Sequence, residues 1–180
     1  MAASFDPLET VETIADALDS RGFEPVLIGG MALVILGSRR VTRDFDFLVS
    51  TQGRVQELVA VMYRHGLRLA TKLDAAGDVA RTIDNPRVAA AKVKAETPTS
   101  LFFSHEGSGL RVDLLLDHPF PAQTLRRRAV RVKLKSRKVS VAAPEDLLKM
   151  KEIAHRDRGA AGDAEDLHFL RKLLSKERSP

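Results

Sequence analysis

The chain has 180 residues, 44% of them hydrophobic and 29% charged, which suits one full core or one domain with a small helical appendage and argues against wholesale disorder. It contains no cysteine, so disulfides, zinc–thiolate sites and cysteine nucleophiles are excluded, and a reducing compartment fits. The formal net charge of +5 favours anionic partners such as nucleotides or RNA.

Asp6-Pro7 reads as an N-cap followed by proline at the first helical position, and Leu8, Val11, Ile14, Ala15 and Leu18 then recur at helical spacing until Gly22. Val26-Leu27-Ile28 is a short buried strand, and Gly29-Gly30 turns it into a helix over Met31–Leu36 that Gly37 ends. That helix is the longest apolar run and is far too short to span a bilayer, while Met1–Pro7 lacks the basic and apolar regions of a secretory signal. The expectation is a cytoplasmic protein with no membrane partner.

Phe45–Val49 is the second strand, and Thr51 is expected to cap a third helix with Val55, Leu58, Val59 and Met62 on one face and Gly66 at its end. Leu67–Ala70 alternates like a strand, Asp84-Asn85-Pro86 signals a turn, and Ala89–Ala95 suits helix and strand equally. Ser100–Phe103 and Leu110–Leu116 read as two strands of a hairpin joined by His105–Gly109, and Ala129–Val141 reads as a half-exposed hairpin turning near Ser136-Arg137. Pro144 starts a helix that runs to about Arg156, Gly159–Gly162 is a breaker, and Asp163 is expected to cap a last helix striped by Leu167, Leu170, Leu173 and Leu174. The predicted class is α/β (α+β), a mixed sheet flanked by helices, with a core over residues 1–142 and a helical pair over 143–180.

The chemistry concentrates in a few residues. Asp44 and Asp46 alternate on a strand, so both carboxylates aim at one spot, and burying them together costs several kcal/mol unless a cation joins them. A hard divalent cation is the natural occupant, with a phosphate as its natural ligand. Asp113, between Val112 and Leu114, is a third acid on an apolar strand; if the two strands are neighbours, three negative charges converge and about two divalent ions are needed. Gly29 and Gly30 open a helix whose free N–H groups suit phosphate oxygens. Arg39, Arg40 and Arg43 flank the acids as candidate partners of a triphosphate, and Thr42 offers a hydroxyl.

Other residues carry weaker signals. Asp117 is an alternative third acid at a strand end, and Asp163 and Asp166 read as helix caps or partners of Arg156 and Arg158. The basic run Arg126–Lys138 could follow a nucleic-acid backbone, but a solvated hairpin face is the favoured reading, and no aromatics interleave with it for base stacking. The histidines show no ligand spacing, and the Walker phosphate loop is absent.

Gly29-Gly30, thirteen intervening residues, Asp44-Phe45-Asp46 and the later Val112-Asp113-Leu114 together resemble the DNA polymerase beta-type nucleotidyltransferase superfamily. The string Arg40–Asp46 and the segments Pro144–Lys151, Arg156–Arg158 and Asp163–Leu167 are similar to the minimal, AbiEii-type nucleotidyltransferase toxins. The resemblance implies Mg2+ as cofactor, two ions with Mn2+ as the alternative metal, and transfer of a nucleoside monophosphate from a nucleoside triphosphate to a hydroxyl. It implies metal binding by Asp44, Asp46 and Asp113, with Asp113 also as general base. Gly30 would approach the phosphates and Lys151 would reach them, ahead of Lys149. An acceptor such as tRNA, a protein or a small molecule such as an aminoglycoside, and a cognate antitoxin, are the implied partners. A fold that keeps its shape but serves only as a nucleotide-binding or protein-interaction module is the alternative.

Overall fold

Burial follows the sequence pattern closely along the first half of the chain. A computed structural model describes residues 5–177; the readings of Met1–Ser4 and of residues 178–180 lie outside them. In chain order the elements are α1 (Pro7–Asp19), β1 (Val26–Ile28), α2 (Gly29–Ile35), β2 (Asp44–Val49), α3 (Val55–Arg64), β3 (Leu67–Leu73) and β4 (Val79–Ile83). There follow α4 (Pro86–Glu96), β5 (Ser100–His105), β6 (Arg111–Leu116), α5 (Ala122–Arg126), β7 (Val130–Lys133), β8 (Lys138–Val141), α6 (Pro144–Arg158) and α7 (Ala161–Glu177). No helix among the described residues is long and apolar enough to cross a membrane.

The strands form one sheet in the order β4-β3-β5-β6-β2-β1-β8-β7. It is mixed, as expected: β2 runs parallel to β6 and β1 to β8, while the other neighbours are antiparallel. Alternation along β2 buries Phe45 and Phe47 on one face and leaves Asp44 and Asp46 on the other. Val11, Ile14 and Leu18 of α1, Leu58 and Met62 of α3, and Leu147 and Leu170 of the last two helices are among the buried residues of a single hydrophobic cluster. Each such side chain gains about 1.5–3 kcal/mol on leaving water.

Several local expectations are corrected. Thr51 does not cap α3; its carbonyl accepts from the Arg54 N–H at 2.8 Å, closing a turn, and the helix starts at Val55 without a side-chain cap. Asp163 does not cap the last helix but lies inside its first turn, because its carboxylate is drawn to Lys151. The ambiguous Ala89–Ala95 segment is helical, capped by the Asn85 side chain ahead of Pro86, with Ala89, Ala90 and Val93 buried. Two elements carry no clear sequence signal. β4 has no fully buried residue and is joined to β3 through irregular register, and α5 spans only five residues. Asp117 is a loop anchor rather than a site acid: its Oδ1 accepts from the Ala122 N–H at 2.8 Å.

Most cations of the basic run around the second hairpin are paired internally. Arg126 and Arg131 reach Asp19, Arg128 reaches the buried Asp146, Lys135 reaches Asp6 and Glu9, and Arg137 reaches Asp16. Glu12 of α1, 1% exposed, accepts the backbone N–H groups of Lys135, Ser136 and Arg137 and the Ser136 hydroxyl at the hairpin turn. These bonds to the charged form hold its carboxyl down at about 2. The folded state therefore gains from ionised Glu12 above its ordinary value of 4.5 and loses that gain as pH falls toward about 2. Glu12→Gln is expected to lower the melting temperature at neutral pH and to flatten the acid limb of the stability curve between those values; melting curves recorded across that range that run parallel to wild type contradict the assignment.

Candidate active site

Register fixes the site. In the parallel pair β2/β6, Asp46 stands opposite Asp113 and Asp44 opposite Arg111. Ile28 of β1 stands opposite Asp46 on the other side, and Phe102 of β5 opposite Asp113, so Ile28, Asp46, Asp113 and Phe102 form one row across four strands. Side chains at paired positions share a face. The row forms the floor of a cleft of about 510 Å³, which is also lined by Gly29, Gly30, Arg40, Thr42, Asp44, Lys151 and Arg158. The acid triplet, both glycines, Arg40, Thr42 and Lys151 are thus brought together. Arg43 is not: it precedes β2 with the parity of Phe45, is exposed, and lies outside the cleft lining.

The glycine corner is sterically demanding. Gly29 has φ +67°, a left-handed conformation that glycine adopts without strain, and a β-carbon there would run into the Asp46 carboxylate. A β-carbon on Gly30 would meet the Arg40 guanidinium at 3.0 Å. Both side chains close over bare backbone.

The electrostatics are asymmetric across the cleft. Burial, then the charge of Asp44, pushes Asp46 up to about 6, against Lys151, Arg40 and Arg158. Burial, then the charges of Asp46 and Asp44, pushes Asp113 up to about 7, with only Arg111 opposing. Asp113 is 9% exposed and its Oδ1 has no hydrogen-bond partner. Asp44 sits 3.4 Å from Arg111. On the other wall, Lys151 lies between Asp166 at 2.6 Å and Asp163 at 3.2 Å, and Asp166 also holds Arg40 at 2.5 Å. Asp163 and Asp166 therefore pair chiefly with Lys151 and Arg40, not with Arg156; Arg158 reaches Asp163 only at 3.9 Å. Each acid is 4% exposed, and a buried carboxylate needs such a partner.

Among the described residues, no three His, Asp or Glu side chains are already gathered into a cage for an ion. The donors nonetheless suit magnesium, which takes only one or two carboxylates and completes its shell with water and substrate phosphates. Two hard oxygen donors at paired positions, one with an orphaned buried oxygen, and both raised by burial and then by neighbouring carboxylate charge, fit that requirement. Sequence reasoning missed Phe102, His118, Arg158 and the apolar wall of Leu147, Met150 and Ile153. Phe102 could have been found from its pairing parity with Asp113; the α6 wall carries no distinctive motif.

With the fold and cleft described, comparison with known proteins is direct. The chain belongs to the family described as nucleotidyl transferase AbiEii toxin, type IV toxin–antitoxin system, whose model matches residues 12–178. It is thus a member of a nucleotidyltransferase family, as the glycine and acid motifs implied. No curated protein sequence gives a significant match. Among solved structures it is similar to ANT(2'')-Ia in complex with adenylyl-2''-tobramycin, at 17% identity and a TM-score of 0.58, over 95% of this chain and 91% of that one. The solution structure of the same antibiotic-resistance factor aligns at 14% identity and a TM-score of 0.58, over 94% and 85% of the two chains. A Thermotoga maritima protein assigned as a nucleotidyltransferase aligns at 16% identity and a TM-score of 0.53, over 94% and 92%. These likenesses establish the shared fold.

The raised carboxyls make a signed prediction. Because the folded state favours protonated Asp46 and Asp113, metal-free stability falls as pH rises from the ordinary 3.8 through about 6 to 7, and the deficit is complete above that interval. Asp46→Asn is expected to match wild type in acid and to exceed it at alkaline pH in chelator, by chemical denaturation. Added Mg2+ is expected to stabilise wild type at alkaline pH far more than this variant. A constant difference between the two proteins across pH contradicts the repulsion account.

Proposed function

We propose that the protein is a Mg2+-dependent nucleotidyltransferase that transfers a nucleoside monophosphate from a nucleoside triphosphate to an acceptor hydroxyl, as a toxin countered by a cognate antitoxin. The observation that carries this reading is the pairing of Asp46 with Asp113 beside the Gly29–Gly30 corner. Asp46 and Asp113, with Asp44 beside them, would hold the metal, two ions at full occupancy. When bound, the metal supplies positive charge that neutralises phosphate oxygens and the charge developing on the attacking and leaving oxygens.

The protein's own groups divide the remaining work. Backbone N–H groups at Gly29 and Gly30 approach the triphosphate without a β-carbon in the way, and the Thr42 hydroxyl donates to it. Arg40 and Lys151 face the same cleft and exchange part of their pairing with Asp166 and Asp163 for phosphate oxygens. Arg43 stays outside this set. The unpartnered Oδ1 of Asp113 takes the proton of the acceptor hydroxyl. The hydroxyl oxygen then bonds to the α-phosphorus, the α–β phosphoanhydride bond breaks, and pyrophosphate leaves. The apolar α6 wall gives the nucleoside a surface to pack on.

RNA is the acceptor that the net positive charge favours. A second reading, a small aminoglycoside-like acceptor, draws on the fold shared with ANT(2'')-Ia, whose structure holds an adenylylated tobramycin. Incubation with each radiolabelled triphosphate, Mg2+ and either cellular RNA, protein or an aminoglycoside separates these readings from one another and from a binding-only module. Label is expected in RNA, with pyrophosphate released. Asp46→Asn is expected to abolish labelling while the protein stays folded; wild-type turnover in that variant removes Asp46 from the mechanism. Lys151→Ala is expected to raise the nucleotide KM and to lower the melting temperature, because Asp163 and Asp166 lose a shared cation. A lowered melting temperature with unchanged KM makes Lys151 purely structural.

A further inference from the structure

A second row of paired residues runs beside the catalytic one. Asp44 of β2 stands opposite Arg111 of β6, Arg111 opposite Ser104 of β5, and Ser104 opposite Arg68 of β3. The row leads across the same sheet face, over three strand spacings of about 4.8 Å each, from the acids to another cleft. That cleft has a volume of about 410 Å³ and is lined by Arg68, Arg81, Arg111, His105 and Ser104 among others. Asp78 and Glu106 also line it, so three guanidiniums stand beside two carboxylates, with Arg111 facing Asp44 as well.

The state of these cations separates them from the basic hairpin. Arg126, Arg128, Arg131, Lys135 and Arg137 are matched to carboxylates of α1, to the neighbouring Asp6 and to Asp146. Arg68 touches no acid; it donates to the Tyr63 and Leu67 carbonyls and lies over the Tyr63 ring. Arg81 is exposed and makes no ion pair among the described residues, and its cross-strand partner is another cation, Lys72. Like charges directly opposite on neighbouring strands are unfavourable, and an anion bound at Arg81 relieves that repulsion. Arg111 is shared, with Nε facing Asp44 and a second nitrogen donating to the Gly77 carbonyl at 3.2 Å. Phe102, two residues before Ser104 on the same strand face and lining the cleft of the acids, is 43% exposed directly opposite Asp113. An exposed aromatic on a strand beside the reacting position is a stacking platform that any base fits.

We propose that the arginine-lined cleft on β3, β4 and β5 is the track for the phosphodiester backbone of a single-stranded RNA acceptor, with Arg68 and Arg81 on its phosphates and its terminal base stacked on Phe102. The proposal rests on the nucleotidyltransferase reading of the neighbouring cleft and adds to it a site and a direction of approach. The terminal hydroxyl then arrives at Asp113 from the β5 side, while the triphosphate lies on the Gly29–Gly30 side. A polycationic acceptor is disfavoured by the same guanidiniums.

Fluorescence anisotropy with a short labelled single-stranded RNA, titrated at several salt concentrations, tests it in the full chain. Arg81→Glu is expected to weaken binding about tenfold and to reduce the slope of log affinity against log salt by about 0.7, the value of one lost contact to single-stranded phosphate. Phe102→Ala is expected to weaken binding severalfold with an unchanged slope, because stacking releases no counterions. Competition with inorganic phosphate and with a mononucleotide separates a strand site from a simple anion site; either competing as well as the oligonucleotide overturns the track. Unchanged affinity and slope in Arg81→Glu also overturn it, and unchanged affinity in Phe102→Ala removes the stacking seat. ATP binding in Mg2+ is measured in parallel on wild type. ATP bound without RNA leaves the nucleotide cleft standing and the track refuted, whereas RNA bound without ATP does the reverse.

Discussion

Burial of Asp46 and Asp113 at paired positions, with Asp44 beside them, organises the candidate site. The two carboxylates occupy paired positions in the middle of an eight-stranded sheet, where neither can turn away without breaking register. A one-residue slip of β6 against β2 would exchange Asp113 for Val112 or Leu114 and bury a charge in the core. The hydrophobic pattern of both strands therefore fixes the carboxylate pair, and the pair remains strained toward protonation until positive charge arrives. Under the proposed function, the sheet interior supplies the force that would draw a cation to the pair.

The surrounding residues manage that charge. Gly29 must be bare because the Asp46 carboxylate rests against it, while a β-carbon at Gly30 would press on the Arg40 guanidinium. Lys151 and Arg40 stand on the opposite wall, held by Asp166 and Asp163 of α7, so the cations are poised near the cleft and are themselves compensated. This arrangement makes α6 and α7 part of the site rather than an independent unit. The second hairpin is held differently, by Glu12 at its turn and by ion pairs to α1, which engage most of its basic residues. Arg68 and Arg81, at the β3–β4 edge, make no ion pair among the described residues.

The centre of the site was legible in the sequence, because it rests on local rules. A two-residue alternation puts Asp44 and Asp46 on one face, a glycine pair turns β1 into α2, and an acid between apolar neighbours marks Asp113. Pairing of β2 with β6 was a condition of the argument, and the structure supplies it. What sequence could not show depends on long-range geometry. Asp166 and Lys151 meet because α7 folds back on α6, which no local pattern encodes. β4 was missed because an exposed, irregular edge strand carries no hydrophobic alternation, and α5 because one turn and a half shows no helical period. Thr51 and Asp163 misled because a good capping residue near a helix start binds elsewhere when a turn or a lysine competes for it.

The most direct test of the central claim is calorimetric titration of a divalent cation into the metal-free protein at about pH 6, near the raised values of Asp46 and Asp113, in buffers of different ionisation enthalpy. If the two acids share a strained site, cation binding expels protons, so the observed heat varies with the buffer, and Asp113→Asn diminishes both the affinity and the proton release. Binding whose heat is independent of buffer and indifferent to Asp113→Asn would contradict the account.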